Sequence, residues 1–306
     1  MKVSLIAVQL EIDAAVLATA DRYRAHIDEM VACAVEEAGD VDARLVVLPE
    51  IAGHLGLLAL APPPAHKRRS LGEALAMAAV RRPLEVLRGF STTRLLQPRH
   101  AVLAALAPDG ERYWRSVMGP LARRHDAYVV AGSHLRLGPE GDLTNASFLF
   151  APDGRCIATT DKVNLVPGRE DGAPGGLGLA RGEAEHLPIV ATPLGTVATL
   201  IGYDAFAAPH TELERFVPLG ASLRARGGVA IAANPAALDE GVGLAASLRE
   251  VAFARFGVTA QLVGNVLDLQ FSGTSQIVAR DTDGVHELAR TGSTAHGGHV
   301  VAAVTC

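Results

Sequence analysis

Three positions carry residue types and settings that chemistry could use. Glu50 closes the apolar run Leu45-Val46-Val47-Leu48-Pro49, Lys162 follows Ala158-Thr159-Thr160-Asp161, and Gly202 follows Val197-Ala198-Thr199-Leu200-Ile201. A carboxylate at a strand end can act as a general base, and an ammonium can stabilise a developing negative charge. The third position offers no nucleophile: no Cys, Ser or Thr lies between Leu200 and Ala205.

The remaining reactive types form no second site. Cys33, Cys156 and Cys306 are an odd number at wide spacings, which fits neither a disulfide framework nor a zinc site. Cys33 is expected in the core of the first helix, Cys156 as a buried inert thiol on a hairpin strand, and Cys306 at a frayed terminus. His134, His210, His296 and His299 are scattered, so they are read as surface residues, and neither a metal nor a cofactor is expected. Gly175-Gly176-Leu177-Gly178 precedes no helix, so it is read as a flexible loop at a pocket mouth and not as a phosphate loop.

The elements that must hold these residues are strands alternating with helices. Aliphatic and β-branched runs predict strands over 3–10, 45–48, 128–132, 146–150, 197–201, 229–233 and 260–263. Helices are predicted over 19–38, where Tyr23, Ile27, Met30 and Val31 share a face, over 213–226 and over 244–256. Pro152-Asp153-Gly154 and Asp281-Thr282-Asp283-Gly284 read as hairpin turns. The pattern is that of a layered α/β domain without repeats.

Bulk properties narrow the function classes. The chain has 306 residues, 49% hydrophobic and 20% charged, enough for a sizeable core. A net charge of −5 and aromatics at 4% argue against a nucleic-acid surface. Mean hydropathy is +0.23, yet no apolar run approaches the roughly 18–20 residues of a membrane span. With no signal peptide legible at Met1, a reducing cytoplasm is the expected location.

Residues 61–100 stand apart, with eight basic side chains against two acidic ones. Their net +6 leaves −11 for the rest of the chain. Pro62-Pro63-Pro64 reads as a stiff linker, followed by short amphipathic helices over 71–80 and 83–87. The favoured reading is a helical insertion that closes over a pocket or extends a subunit contact. Docking of this stretch to an anionic membrane surface or an acidic partner is the alternative.

Three segments resemble the nitrilase, or carbon–nitrogen hydrolase, superfamily: LVVLPEIAG around Glu50, SFLFAPDGRCIATTDKVNLVPGRE around Lys162, and TPLGTVATLIGYDAF around Gly202. Gly132-Ser133, Asn145, Asn234-Pro235, Asn265, the run Phe271 to Ser275 and Asp283-Gly284 extend the likeness in order. The resemblance implies one domain over 1–306, an α-β-β-α four-layer sandwich, with the helical insertion at about 55–112. It also implies a homodimer or higher homo-oligomer, Glu50 as general base, Lys162 as catalytic lysine, and Gly202 at the position of the nucleophilic cysteine. A second glutamate is expected shortly after Gly132, where the sequence reads Ser133-His134-Leu135-Arg136.

A thiolate attacking an amide or nitrile carbon is the step such a site needs, and loss of a nucleophile costs about 10⁶ in turnover in an unrelated hydrolase. The leading expectation is therefore an impaired pseudoenzyme that binds a small amide-, acid- or amine-bearing ligand, or a protein partner. The alternative is an active amidase-type enzyme, either using a water admitted beside Glu50 or having Gly202 in place of a native cysteine.

Overall fold

The computed structural model describes residues 1–61, 67–81, 83, 84, 86, 87, 98–209, 215–237 and 243–305. Strand β1 (Lys2–Ile12) is buried along nearly its whole length, as a central strand with both faces covered should be. It pairs in parallel with β2 (Ala43–Val47), which pairs with β3 (Tyr128–Val130). Next comes β5 (Leu143–Phe150), carrying β3 and β4 (His134–Leu137) along one edge and β6 (Cys156–Asp161) along the other. Strand β14 (Gly298–Thr305) closes the opposite edge beside β1.

A second sheet runs β7 (Val190–Thr192), β8 (Gly195–Thr199), β9 (Val229–Ala236), β10 (Ala254–Val266), β12 (Gln276–Asp281) and β13 (Gly284–Arg290). The two sheets join where Leu10–Ile12 of β1 pairs with Leu262–Gly264 of β10, beside the short β11 (Leu269–Phe271).

Three apolar clusters define four layers. Leu5, Leu45 and Val130 of the first sheet meet Val197, Ile231 and Val258 of the second between the sheets. Helix α1 (Ala20–Ala38) buries Tyr23, Ile27, Val31 and Ala34 against the outer face of the first sheet. Thr19 Oγ1 caps this helix by accepting from Arg22 N at 3.2 Å, and Gly39 ends it at φ 62°. The outer face of the second sheet is covered by α5 (Leu219–Ala225) and α6 (Gly243–Glu250) through Leu219, Leu223, Leu244 and Leu248. Each such aliphatic side chain contributes about 1.5–3 kcal/mol on burial. The α-β-β-α sandwich follows from this layering, and both expected hairpins are present as β5–β6 and β12–β13.

The helices differ from expectation in instructive ways. The helix expected over 244–256 stops at Glu250, and Ala254 is already paired with Val229 in the sheet. Phe253 and Phe256 keep helical spacing, but Phe256 is needed between the sheets and tertiary pairing prevails. The helix expected over 213–226 starts at Leu219, after Pro218, and residues 213 and 214 lie outside the described residues. Among the described residues, α2 (Ala52–Leu60), α3 (Leu71–Arg81) and α4 (Pro98–Arg124) lie where the insertion was expected. The last was missed because Pro108 and Pro120 interrupt it. It persists because Trp114, Met118, Leu121 and Ala122 are buried against the first sheet. Pro62 to Pro64, Arg82, Glu85, Arg88, Arg94, His210 and Cys306 lie outside the described residues. Among the described residues no helix is long and apolar enough to cross a membrane.

Candidate functional site at the ends of the two sheets

Glu50 emerges three residues after β2, and the turn carrying it is clamped on several sides. Gly132, at φ 57°, lies so close to Pro49 that a Cβ there would stand 2.1 Å from the Pro49 carbonyl oxygen. Only glycine satisfies both constraints. Ser133 Oγ accepts from Ile51 N at 3.0 Å, and Ser133 O accepts from Gly53 N at 2.8 Å. Tyr23 donates from α1 to Ala52 O at 2.6 Å. Ile51 itself sits at φ 69°, an uncommon state for a β-branched residue, next to the carboxylate being aimed.

Lys162 follows β6 directly, with its N–H donating to Asn145 O at 2.8 Å. Its ammonium is buried and donates to Glu50 Oε1 at 2.8 Å and to Glu170 Oε2 at 2.7 Å. The Asn145 Nδ2 donates to the same two carboxylates, at 2.9 Å to Glu50 Oε1 and 3.1 Å to Glu170 Oε1. Val166 N completes the set by donating to Glu170 Oε2 at 2.8 Å.

Glu170 is the member of this cluster that sequence reasoning missed. The second glutamate was expected just after Gly132, but that stretch instead supplies Ser133 to the Glu50 turn. The structure brings in Glu170, eight residues beyond Lys162 and inside the same Asn-Leu-Val-Pro-Gly-Arg-Glu run. The legible signal was a carboxylate that close to a candidate catalytic lysine.

The charges of the cluster set one another. Burial alone would pull the Lys162 ammonium down, but Glu170 and Glu50 outweigh it and hold it above the ordinary lysine range. Burial raises the Glu50 carboxyl, and the Lys162 charge only partly offsets this, with Glu170 adding repulsion. Burial also acts on Glu170, but Lys162 and the N–H donors prevail and keep it below its usual range. Glu50 is thus the member of the pair with the greater proton affinity.

Gly202 arrives from the other sheet, after β8, at the start of a 3₁₀ turn over Gly202–Ala205. Asp204 in that turn ties the two sheets together: it accepts from Asn164 N at 2.7 Å and from Val163 N at 3.2 Å, directly beyond Lys162. Burial pushes its carboxyl up to about 7 despite these donors. Gly202 has φ 50°, and a Cβ built on it would lie 2.3 Å from Glu50 Oε2. Glu50, Lys162 and Gly202 therefore converge at one end of the sandwich. Glu50 Oε2 stands where a side chain on Gly202 would have to go, and the space left beside Glu50 is the small cavity that Gly202 also lines.

Two cavities flank the cluster. One of about 30 Å³ reaches Gly202, Asn234 and Thr259 beside Glu50 and Lys162. Asn234 and Thr259 are register partners on β9 and β10, and Asn234 Oδ1 and Thr259 Oγ1 are buried without a hydrogen-bond partner among the described residues. The other, about 520 Å³, lies on the side of Asn145, Lys162 and Glu170 and is walled by α2, α3, α4 and the 166–177 loop.

Among the described residues no cysteine lines either cavity. Cys156 begins β6 while Lys162 follows its end, about 20 Å away at the rise of a strand. The Cys156 thiol is half-buried and donates to Ala158 O at 3.3 Å, on the side packed against the outer helices. Cys33 is exposed on α1 and not in the core, because its position falls off the Tyr23–Ile27–Val31 face. His134 is buried and not on the surface, its ring 4.1 Å from that of Phe148, since β4 turns this position inward. Gly175 and Leu177 do line the larger pocket, at the loop expected near its mouth. Among the described residues no group of three or more His, Cys, Asp or Glu is arranged to hold a metal.

The carbon-nitrogen hydrolase profile matches residues 6–294. The chain belongs to the carbon-nitrogen hydrolase family. Solved structures similar to it include the amidase from Nesterenkonia sp., at 19% identity and TM-score 0.60, covering 99% of this chain and 90% of that one. A variant of the Nesterenkonia sp. AN1 amidase in complex with butyramide gives the same figures. Another variant, with acrylamide added at its active-site cysteine, gives 18% identity and TM-score 0.59, covering 98% of this chain and 92% of that one. At these identities the likeness speaks for the carbon-nitrogen hydrolase fold. No curated protein matches the chain by sequence.

Proposed function

We propose that this family member binds a small amide-, acid- or amine-bearing ligand at the Glu50–Lys162–Glu170 cluster and does not turn it over through a covalent intermediate. The observation that carries the reading is the bare backbone at Gly202, with Glu50 Oε2 occupying the place a side chain would need. Gly202 stands where the family's cysteine is expected, and the cysteines among the described residues lie away from both cavities. Glu50 retains the position of a base and Lys162 that of an electrostatic partner, but without a thiol there is no atom for them to activate. Family resemblance adds a homodimer to this proposal, checked by sedimentation.

The test is ammonia release from a panel of short amides and nitriles, run beside equilibrium binding. Binding without ammonia above the uncatalysed rate is the expected result. Sustained release by the purified protein would end the proposal.

One observation favours a second reading, direct hydrolysis by water. The cavity of about 30 Å³ beside Glu50 has room for a water, and Asn234 Oδ1 and Thr259 Oγ1 offer it partners. In that case Glu50 takes the water's proton and Lys162 stabilises the oxyanion. This reading predicts a slow turnover that Glu50→Gln abolishes, and turnover unaffected by that substitution removes it.

A further inference from the structure

We infer that the outer face of α3, with the helical residues just beyond it, docks on a bilayer that carries anionic lipid. Val80, Leu84 and Leu87 are 80%, 67% and 63% exposed, and no other large apolar side chain among the described residues passes 44%. Their i, i+4, i+7 spacing is that of one helical face. The backbone is helical over Leu71–Arg81 and again at 83, 84, 86 and 87. Aliphatic side chains scattered singly on a surface need no explanation, but three at helical spacing leave apolar area for something to cover.

The inner side of α3 is already packed and does not need that area. Ala74 and Leu75 are buried there, and Leu71 and Leu75 wall the larger cavity. Glu73, Ala76 and Val80 are exposed on the other side. Glu73 serves the start of the helix: its Oε2 accepts from Arg69 N at 3.1 Å, while Ser70 Oγ accepts from Glu73 N at 3.2 Å, in the manner of a capping box.

The charge around this face selects its occupant. Lys67, Arg68 and Arg69 are exposed at the start of α3, where Arg68 reaches Met77 Sδ at 3.3 Å, and Arg81 is exposed at its end. Residues 61–100 carry a net +6 in a chain of net −5, so the positive field is confined to this stretch. The remainder, at −11, is repelled by an anionic surface, which leaves this face as the one to approach it. A protein partner is commonly gripped by aromatic anchors, and the described residues of this stretch include no Phe, Tyr or Trp. Alkyl tips flanked by long cationic side chains suit the boundary between acyl chains and lipid phosphates, where the tips enter and the cations pair with headgroups.

The experiment is flotation of the intact protein with vesicles of phosphatidylcholine alone or with about 30% phosphatidylglycerol, at about 0.05 M and about 0.5 M salt. Binding should be at least tenfold stronger on the anionic vesicles and fall at least tenfold at the higher salt. Each cation near such a surface contributes about fivefold, so Arg68→Gln, Arg69→Gln and Arg81→Gln together should weaken binding about a hundredfold. Leu84→Ser with Leu87→Ser should weaken it at least tenfold at unchanged charge, and Val80→Ser serves if that double variant does not fold. No binding to the anionic vesicles, equal binding to both kinds, insensitivity to salt, or full binding by either set of substitutions would overturn the docking site. Poly-L-glutamate bound as tightly as the anionic vesicles, with no loss in the serine variant, would assign the face to an acidic protein and overturn it as well.

Discussion

The two sheets deliver unequal halves of one site. From the first come Glu50, Asn145, Lys162 and Glu170, joined by four hydrogen bonds of 2.7–3.1 Å and reinforced by the Val166 N–H. The second brings a side-chain-free Gly202 and two buried polar atoms, on Asn234 and Thr259, without partners among the described residues. The contrast separates a charged half, whose members hold one another, from an uncharged one. A buried charge cluster is costly to desolvate and persists only when its members are satisfied. The half around Gly202 holds no charge among these groups, so it is under no such constraint.

Removing the hub of the charged half should have the largest effect. Lys162→Met leaves Glu50 and Glu170 buried around one missing cation, and urea denaturation should show a loss of about 3–5 kcal/mol. A loss under about 1 kcal/mol would mean that the cluster is not the organising element described here. The uncharged half is probed by placing a side chain at Gly202. Gly202→Cys must adopt a left-handed backbone and displace Glu50 Oε2, so it should destabilise by about 1–3 kcal/mol. Gly202→Ala should behave alike, and a neutral result for both would show that Glu50 yields freely.

The same comparison can be sharpened with paired polar deletions. Asn145→Ala, which strips a donor from two carboxylates, should cost about 1–3 kcal/mol. Thr259→Val, which removes an unpartnered hydroxyl at nearly constant shape, should fall within about 0.5 kcal/mol of the parent. Equal effects would erase the distinction between the halves.

A separate contrast concerns pH. Burial holds the imidazole of His54, just beyond Glu50, down to about 4. Its folded value lies below the unfolded one of about 6.5, so protonation favours the unfolded chain. The His54 contribution is intact above about pH 6.5 and is lost as pH falls towards 4. Asp204 acts in the opposite sense, because a carboxyl pushed up to about 7 loses its contribution as pH rises from about 3.8. His54→Asn should therefore flatten the acid side of a stability-against-pH curve, and an unchanged slope would count against this assignment.

Much of the sandwich was legible because its strands are short aliphatic runs with turn residues between them, and because α1 carries a clean apolar face closed by Gly39. Helix α4 was not, since two prolines mask a helix that tertiary packing sustains. The start of β10 was hidden for a related reason: Phe253 and Phe256 fit a helical period and a buried strand equally well. Glu50, Lys162 and Gly202 were readable from motif order, and the structure brings them together. Glu170 and the orphaned pair Asn234 and Thr259 were not, because which carboxylate reaches a lysine, and which amide finds no partner, depends on loop geometry that composition does not encode.

Non-covalent binding at this site requires that ligand leave the protein mass unchanged. Intact-protein mass spectrometry after saturation with butyramide and rapid acid quench tests it directly. An unchanged protein mass alongside reversible binding measured in parallel is the expected result. An added butyryl group, mapped to any residue lining the Glu50–Lys162 cluster, would contradict it.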